Sequence, residues 1–253
     1  MDDLRAGTEN LASFVAATVG RKGHSRAACG GHLAASTYDV PNAYFKAAIR
    51  TDLQMDTNAF VADAQEFFGE LKRAFYVWVP TDDIELRSAV VAIGGKSDGQ
   101  KAPAMAIRRP IPVGATRYGV KAATTPEDLE HFGMMVEAGY GSPGLGWLLR
   151  DQESYSAQGV TWATAYDGDN AVGAACGYLR GVSGGVYFVG TPPQHRAKGV
   201  GAEVTQWVVN SLFEQGAERV TLQSSEMGFR IYQKLGFGVC GHYERFVVPA
   251  PQA

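Results

Sequence analysis

Cysteine is scarce. The 253-residue chain has three, Cys29, Cys176 and Cys240, none in a Cys-x-x-Cys pair, and its five histidines stand apart from one another. An odd, scattered set of this kind excludes a disulfide framework and argues against a zinc site, so no metal is expected. Runs of lysine and arginine are also missing. The net charge is −3 with both signs mixed, which speaks against a nucleic-acid partner. No apolar stretch approaches the ~18 residues of a membrane span, so no membrane partner is expected. The opening residues, Met1 to Gly7, start acidic and lack the sustained apolar core of a signal peptide. The expected compartment is a reducing cytoplasm. With 45% hydrophobic residues, the chain can bury one large core or two small ones.

What is present is concentrated between residues 186 and 202. Val186 to Val189 is an apolar run that reads as a buried strand. A short loop follows, with Arg196, Lys198, Gly199 and Gly201, and then Val204, Trp207, Val208, Leu212 and Phe213 fall on one face of a helix. A strand, a glycine-rich loop and a helix build an anion site. The free N–H groups of the helix start point outward, and the helix dipole favours negative charge there. The glycines let the backbone approach the anion, and the two basic residues add charge beside it. A phosphate or pyrophosphate is the natural ligand. The P-loop pattern does not fit, because no Lys-Ser or Lys-Thr follows a glycine here. The dinucleotide fingerprint lacks its third glycine.

A second motif lies downstream. Arg219 to Ser224 is β-prone and alternating. Glu226 to Leu235 reads as a helix closed by Gly236, and a final strand runs from about Tyr243 to Val248. The pair Arg196-x-x-Gly199-x-Gly201 and Ile231-Tyr-Gln-Lys-Leu-Gly-Phe237 resembles the GCN5-related N-acetyltransferase (GNAT) family over roughly residues 116–250. The resemblance implies an α+β fold whose mixed, mostly antiparallel sheet is flanked by helices. It also implies an acyl-CoA-dependent N-acyltransferase that moves acetyl from acetyl-CoA to a primary amine. Arg196, Lys198, Gly199 and Gly201, with the N–H groups of Ala197, Val200 and Ala202, would then hold the pyrophosphate. The backbone of Val189, Gly190 and Thr191 would pair with the pantetheine arm. Thr191 stands where the family usually has an aliphatic residue, so only its backbone role carries over. Ser225 stands where a CoA-contacting Asn is common.

Tyr232 is the expected catalytic residue. Amine attack expels a thiolate, and a phenol with a free pKa of ~10 can protonate it. No general base is named: Glu137, Glu153, Tyr187, His195, Glu226 and His242 all lie in the appropriate half. With no cysteine in the motif region, attack is expected to be direct, in a ternary complex. A non-catalytic acyl-CoA sensor is the alternative. The chain is expected to be a monomer or homodimer.

Upstream of the motifs, Tyr118 to Ala123 reads as a strand and Thr125-Pro126 as a helix start. Trp147 to Tyr155 reads as a second helix, and Val160–Tyr166 and Ala171–Leu179 as a hairpin around Asp167-Gly-Asp-Asn170. Residues 1–112 repeat the second half of this pattern weakly: strand 43–50, helix 58–71, strand 75–79, helix 83–93 and strand 104–107. Where the anion loop belongs, they have Arg50-Thr-Asp-Leu-Gln-Met-Asp-Thr57, with two acids and no glycine. These residues are expected to form a smaller, degenerate GNAT-like domain without a cofactor site, and 116–253 the acetyltransferase domain.

Overall fold

The computed structural model describes residues 2–19, 24–36, 42–146 and 157–250, so the helix expected over 147–155, with Glu153, lies outside the described residues. The chain forms two units, residues 1–104 with 239–253, and residues 105–238.

In the first unit, the acids that open the sequence start a helix, Asp2 as its cap and Asp3 in its first turn. Asp2 accepts a hydrogen bond from Arg5 N at 2.7 Å and starts α1 (Asp3–Thr18), which buries Leu11, Phe14 and Val15. A hairpin of β1 (Ser25–Ala28) and β2 (Gly31–Ala35) follows. Neither α1 nor this hairpin is legible in the sequence. Next come β3 (Lys46–Arg50), α2 (Thr57–Glu70), β4 (Phe75–Pro80), α3 (Ile84–Ala92) and β5 (Lys96–Ile107). These sit where expected, except that β5 begins at Lys96 rather than Ala104. Phe60, Phe67, Phe68 and Phe75 centre the core, with Phe68 stacked on Phe75 at 4.4 Å.

The second unit contains β6 (Gly119–Ala122), α4 (Pro126–Tyr140), β7 (Val160–Asp167), β8 (Asn170–Arg180) and β9 (Ser183–Gly190). After a 3-10 turn at Pro193–His195 come α5 (Val200–Glu214), β10 (Arg219–Gln223) and α6 (Glu226–Lys234). Its strands run in the order β10-β9-β8-β7-β6, antiparallel except for the parallel pair β9 and β10. α5 lays Val200, Val204, Val208 and Leu212 on Ala163, Ala175, Val186, Val220 and Leu222. α4 packs on the sheet with Phe132 edge-on to Trp162 at 5.0 Å. It opens on a reciprocal capping box between Thr125 and Asp128. Backbone N–H donation from Thr124, followed by the bonds from Lys121 and Thr125, holds the Asp128 carboxyl well below the usual carboxylate range. A depressed carboxyl contributes stability above about pH 4, and that contribution is lost as the pH falls through the folded value.

The last strand, β11 (Gly238–Val248), belongs to the first unit. It runs antiparallel to β4, from Tyr243 opposite Pro80 to Val248 opposite Phe75, and lies between β4 and β5 in the order β1-β2-β3-β4-β11-β5. The division between units thus falls at 104/105 and 238/239, and the C-terminal residues expected in the second domain join the first. The reason is packing: Phe246 and Val248 fill the core around Phe68 and Phe75, a long-range match that local pattern does not reveal. Both units have mixed, mostly antiparallel strands flanked by helices, three α-helices each among the described residues, which is the α+β class expected.

One buried charge pair organises the first unit. Arg50 is 3% exposed. Its Nη1 lies 3.1 Å from Asp83 Oδ2, and its Nη2 donates to Leu53 O at 3.1 Å and Met55 O at 2.9 Å. Asp83→Asn keeps the cap that Asp83 Oδ1 gives Leu86 N but leaves the guanidinium with only the exposed Glu85 carboxylate, 3.6 Å from Nη2, as counter-charge. It is expected to cost up to about 3 kcal/mol in urea denaturation, because the buried charge loses its buried partner.

Candidate functional site

The site begins where two parallel strands stop pairing. β9 and β10 are in register at Ser183–Arg219, Gly184–Val220 and Gly185–Thr221. Both strands then continue, β9 to Gly190 and β10 to Gln223, without further register pairs between them. On its other edge, β9 is held to β8 through a bulge. Cys176 faces Tyr187 and Ala174 faces Gly190, so β9 spends one residue more than β8 over this stretch. Phe188 sits inside the bulge with φ +51°. β9 thus carries Val186 to Gly190 past its last partner on β10, so the two strands part there.

A glycine pair fixes that arm. A Cβ on Gly190 would come within 2.8 Å of Val136 Cα and 2.9 Å of Met135 O. One on Gly139 would lie 2.6 Å from Thr191 N. The end of α4 therefore rests directly on the end of β9, backbone against backbone.

Beyond Thr191 the chain makes the 3-10 turn and enters the loop Arg196–Gly199. Ala197 and Gly199 both have positive φ, +59° and +92°. A Cβ on Gly199 would meet no atom closer than 4.0 Å, so the dihedral and not crowding requires glycine there. Gly199 is the N-cap of α5, and no side chain caps this helix. Its carbonyl accepts from Ala202 N and Glu203 N, both at 3.0 Å. The N–H groups before them face outward from the positive end of the dipole, which is what an anion cradle needs. The basic side chains are engaged elsewhere: Arg196 donates to Thr191 O and Gly139 O, and Lys198 to Gln194 O at 2.8 Å.

Several residues that the sequence does not mark hold the loop. Glu203 Oε2 accepts from Arg117 N and Tyr118 N, both at 3.0 Å, and the Tyr118 hydroxyl donates to Lys198 O at 3.2 Å. No spacing rule connects residues some eighty positions apart, so no sequence signal points to them.

The second arm ends in α6. Ser225 is its N-cap, accepting from Gly228 N at 3.2 Å. Tyr232 is buried, edge-on to Phe237 at 6.0 Å. A Cβ on Gly228 would meet Tyr232 Cε2 at 2.7 Å and Ser225 Oγ at 3.4 Å. The ring therefore leans back over the first turn of α6, next to Ser225 and close to the end of β10. Of the residues weighed as bases, Glu137 accepts from Gly146 N at 3.1 Å, Tyr187 is buried on β9, and His195 is half-buried in the 3-10 turn. Glu226 is exposed at the start of α6, and His242 lies on β11 in the first unit.

The first unit offers an internal comparison. Its parallel pair, β3 and β4, is in register at Ala47–Tyr76, Ala48–Val77 and Ile49–Trp78, up to one residue before β3 ends at Arg50. Here β3 keeps a partner almost to its end, although β4 runs on past Trp78 to Pro80. The N-terminus of α2 is filled by the Asp56 carboxylate, which accepts from Asn58 N at 2.8 Å and Ala59 N at 3.2 Å. The chain supplies its own anion at that helix start.

Residues 132–237, a span wholly inside the second unit, match the acetyltransferase (GNAT) family. No curated protein sequence is significantly similar to the chain. Among solved structures, a GCN5-related N-acetyltransferase from Kribbella flavida is similar over 96% of this chain and 95% of its own, with TM-score 0.72 at 16% identity. A tandem GNAT protein from the clavulanic acid biosynthesis pathway matches with TM-score 0.62 and 13% identity, over 97% and 96%. A putative acetyltransferase of the GNAT family from Novosphingobium aromaticivorans matches over the full length of both chains, with TM-score 0.59 and 16% identity. At these identities the likeness is one of fold.

Gly190→Ala tests the contact that fixes the β9 arm. The added methyl has α4 backbone in its way, and overpacking of this kind costs about 1–3 kcal/mol. Thermal unfolding of the full chain should show the corresponding drop, whereas Gly114→Ala, where nothing lies within 4 Å, should leave the midpoint in place.

Proposed function

With residues 132–237 forming a GNAT acetyltransferase domain as the premise, we propose that the protein is an acyl-CoA-dependent N-acyltransferase that transfers acetyl from acetyl-CoA to a primary amine. The observation that carries this reading is the parting of β9 and β10 beside an uncapped, glycine-led helix start. The open edge of β9 at Val189, Gly190 and Thr191 suits a strand-like ligand with amides, which the pantetheine arm is. The main chain of residues 197–201 suits its pyrophosphate, whereas the N–H of Ala202, expected to join it, already donates to Gly199 O. Ser225, as N-cap of α6, borders the other arm and retains a hydroxyl proton to donate.

In the proposed reaction the neutral amine attacks the thioester carbonyl. The C–N bond forms, the C–S bond breaks, and the Tyr232 hydroxyl gives its proton to the departing thiolate. A backbone N–H of the β9 arm stabilises the carbonyl oxygen as charge develops on it. The amine sheds its proton to solvent or to a nearby group, and no residue is assigned that task. The first unit, with β3 paired almost to its end and its own Asp56 at the helix start, takes no CoA in this reading.

Two measurements test the proposal. Calorimetry on the full chain is expected to give one CoA site, and two equivalent sites would contradict it. Gly199→Asp should abolish that binding by placing a side chain and a negative charge in the cradle while the fold survives. Turnover of acetyl-CoA against a panel of amines is expected for the wild type, and its complete absence alongside tight CoA binding would favour a sensor. With an accepted amine, Tyr232→Phe should lower kcat by roughly 10²–10⁴ and leave acetyl-CoA affinity nearly unchanged, because the proton is needed only in the transition state.

A further inference from the structure

Arg196 reads in the sequence as a charge for the pyrophosphate, but its guanidinium is committed to two carbonyls. Nη2 donates to Gly139 O at 2.8 Å and Nε to Thr191 O at 3.2 Å. Gly139 lies in the last turn of α4, where the final four carbonyls have no partner within the helix and the dipole is negative. The neighbouring Glu137 O is taken by the N–H groups of Gly141 and Ser142. Thr191 is the first residue after β9 and the start of the cofactor loop. The guanidinium thus bridges the spot where the backbones of α4 and β9 meet, where a Cβ on Gly139 would be only 2.6 Å from Thr191 N. On the far side of the same helix end, Glu137 holds the turn by accepting from Gly146 N.

We propose that Arg196 is a positioning residue whose guanidinium fastens the end of α4, and the turn 139–146 after it, to the loop that receives the donor. Ordering the loop then orders the turn. The proposal rests on the acyl-CoA reading of the site for its ligand, but the fastening itself exists in the free protein. It requires directional donors rather than charge. A forked or amide donor that reaches backbone carbonyls can replace arginine better than a flexible point charge can.

The test compares Arg196→Gln, Arg196→Lys and Arg196→Ala in the full chain. By calorimetry with CoA, the glutamine variant is expected to lose about threefold in affinity, and the lysine and alanine variants about tenfold, as befits one or two lost hydrogen bonds. The reverse order, with lysine near wild type and glutamine tenfold or more weaker, would mean that the side chain acts as a phosphate charge and would overturn the proposal. Hydrogen exchange gives a readout that a simple loss of affinity would not move. In the wild type, CoA should slow exchange in residues 139–146 as well as at the start of α5. In Arg196→Ala saturated with CoA, only the start of α5 should be slowed. Equal protection of 139–146 in both proteins would refute the coupling. In the absence of ligand, Arg196→Ala should speed exchange at Gly141 and Ser142, and an unchanged rate there would refute the fastening. Should the wild type bind no CoA, the acyltransferase reading fails, while this ligand-free comparison still decides the role of Arg196.

Discussion

Everything at the candidate site depends on a hydrogen-bond ladder that ends early. A parallel strand pair that continues as strand but ceases to pair leaves N–H and C=O groups without their usual partners, and buried backbone does not tolerate that state. The structure confines the shortfall to one edge. The opposite edge of β9 is bonded to β8 around the Phe188 bulge, and the tip is pressed against α4 through Gly139 and Gly190. On the proposed reading, that edge is held in place before a ligand with amide groups meets it. Preorganisation of this kind lowers the ordering cost that binding would otherwise carry.

The first unit has a parallel pair in which β3 stops almost where the ladder stops. Ile49 still pairs with Trp78 one residue before β3 stops, and the guanidinium of Arg50 gathers the carbonyls of the following loop. Asp56 sits where an external anion would sit on α2. Between the units the difference lies less in the elements, which recur in the order strand, helix, strand, helix, than in whether the polar groups at the strand ends are satisfied from within.

The sequence discloses most of this because the decisive residues act locally. Gly199 and Gly201 announce a helix start that nothing caps, and Thr125, Pro126 and Asp128 announce another that is capped. The spacing of Val204, Val208 and Leu212 fixes the buried face of α5. The loop in the first unit, with two acids and no glycine, is legible for the same reason. The rest depends on distance. α1 is hidden because Gly7, Thr8 and Asn10 interrupt its apolar stripe, yet all three are buried, and the Thr8 hydroxyl meets that of Tyr243 at 2.6 Å. In the sequence the side chain of Arg196 speaks only through its charge, and three-dimensional placement alone reveals the two carbonyls that it serves.

The position of β11 has a consequence for how the chain is made. The sheet of the first unit is threaded by its last strand, which lies between β4 and β5 and contributes Phe246 and Val248 to a core whose other residues all lie before Gly94. During synthesis that core must wait for the whole second unit to leave the ribosome, a delay of roughly ten seconds or more at ordinary elongation rates. Until then β4 and β5 expose edges on either side of an empty lane, a hazard for pairing with other chains. The second unit has all its strands by Gln223. The half of the protein synthesised first is thus the half completed last, and a chain cut short near its end would damage the unit at its beginning.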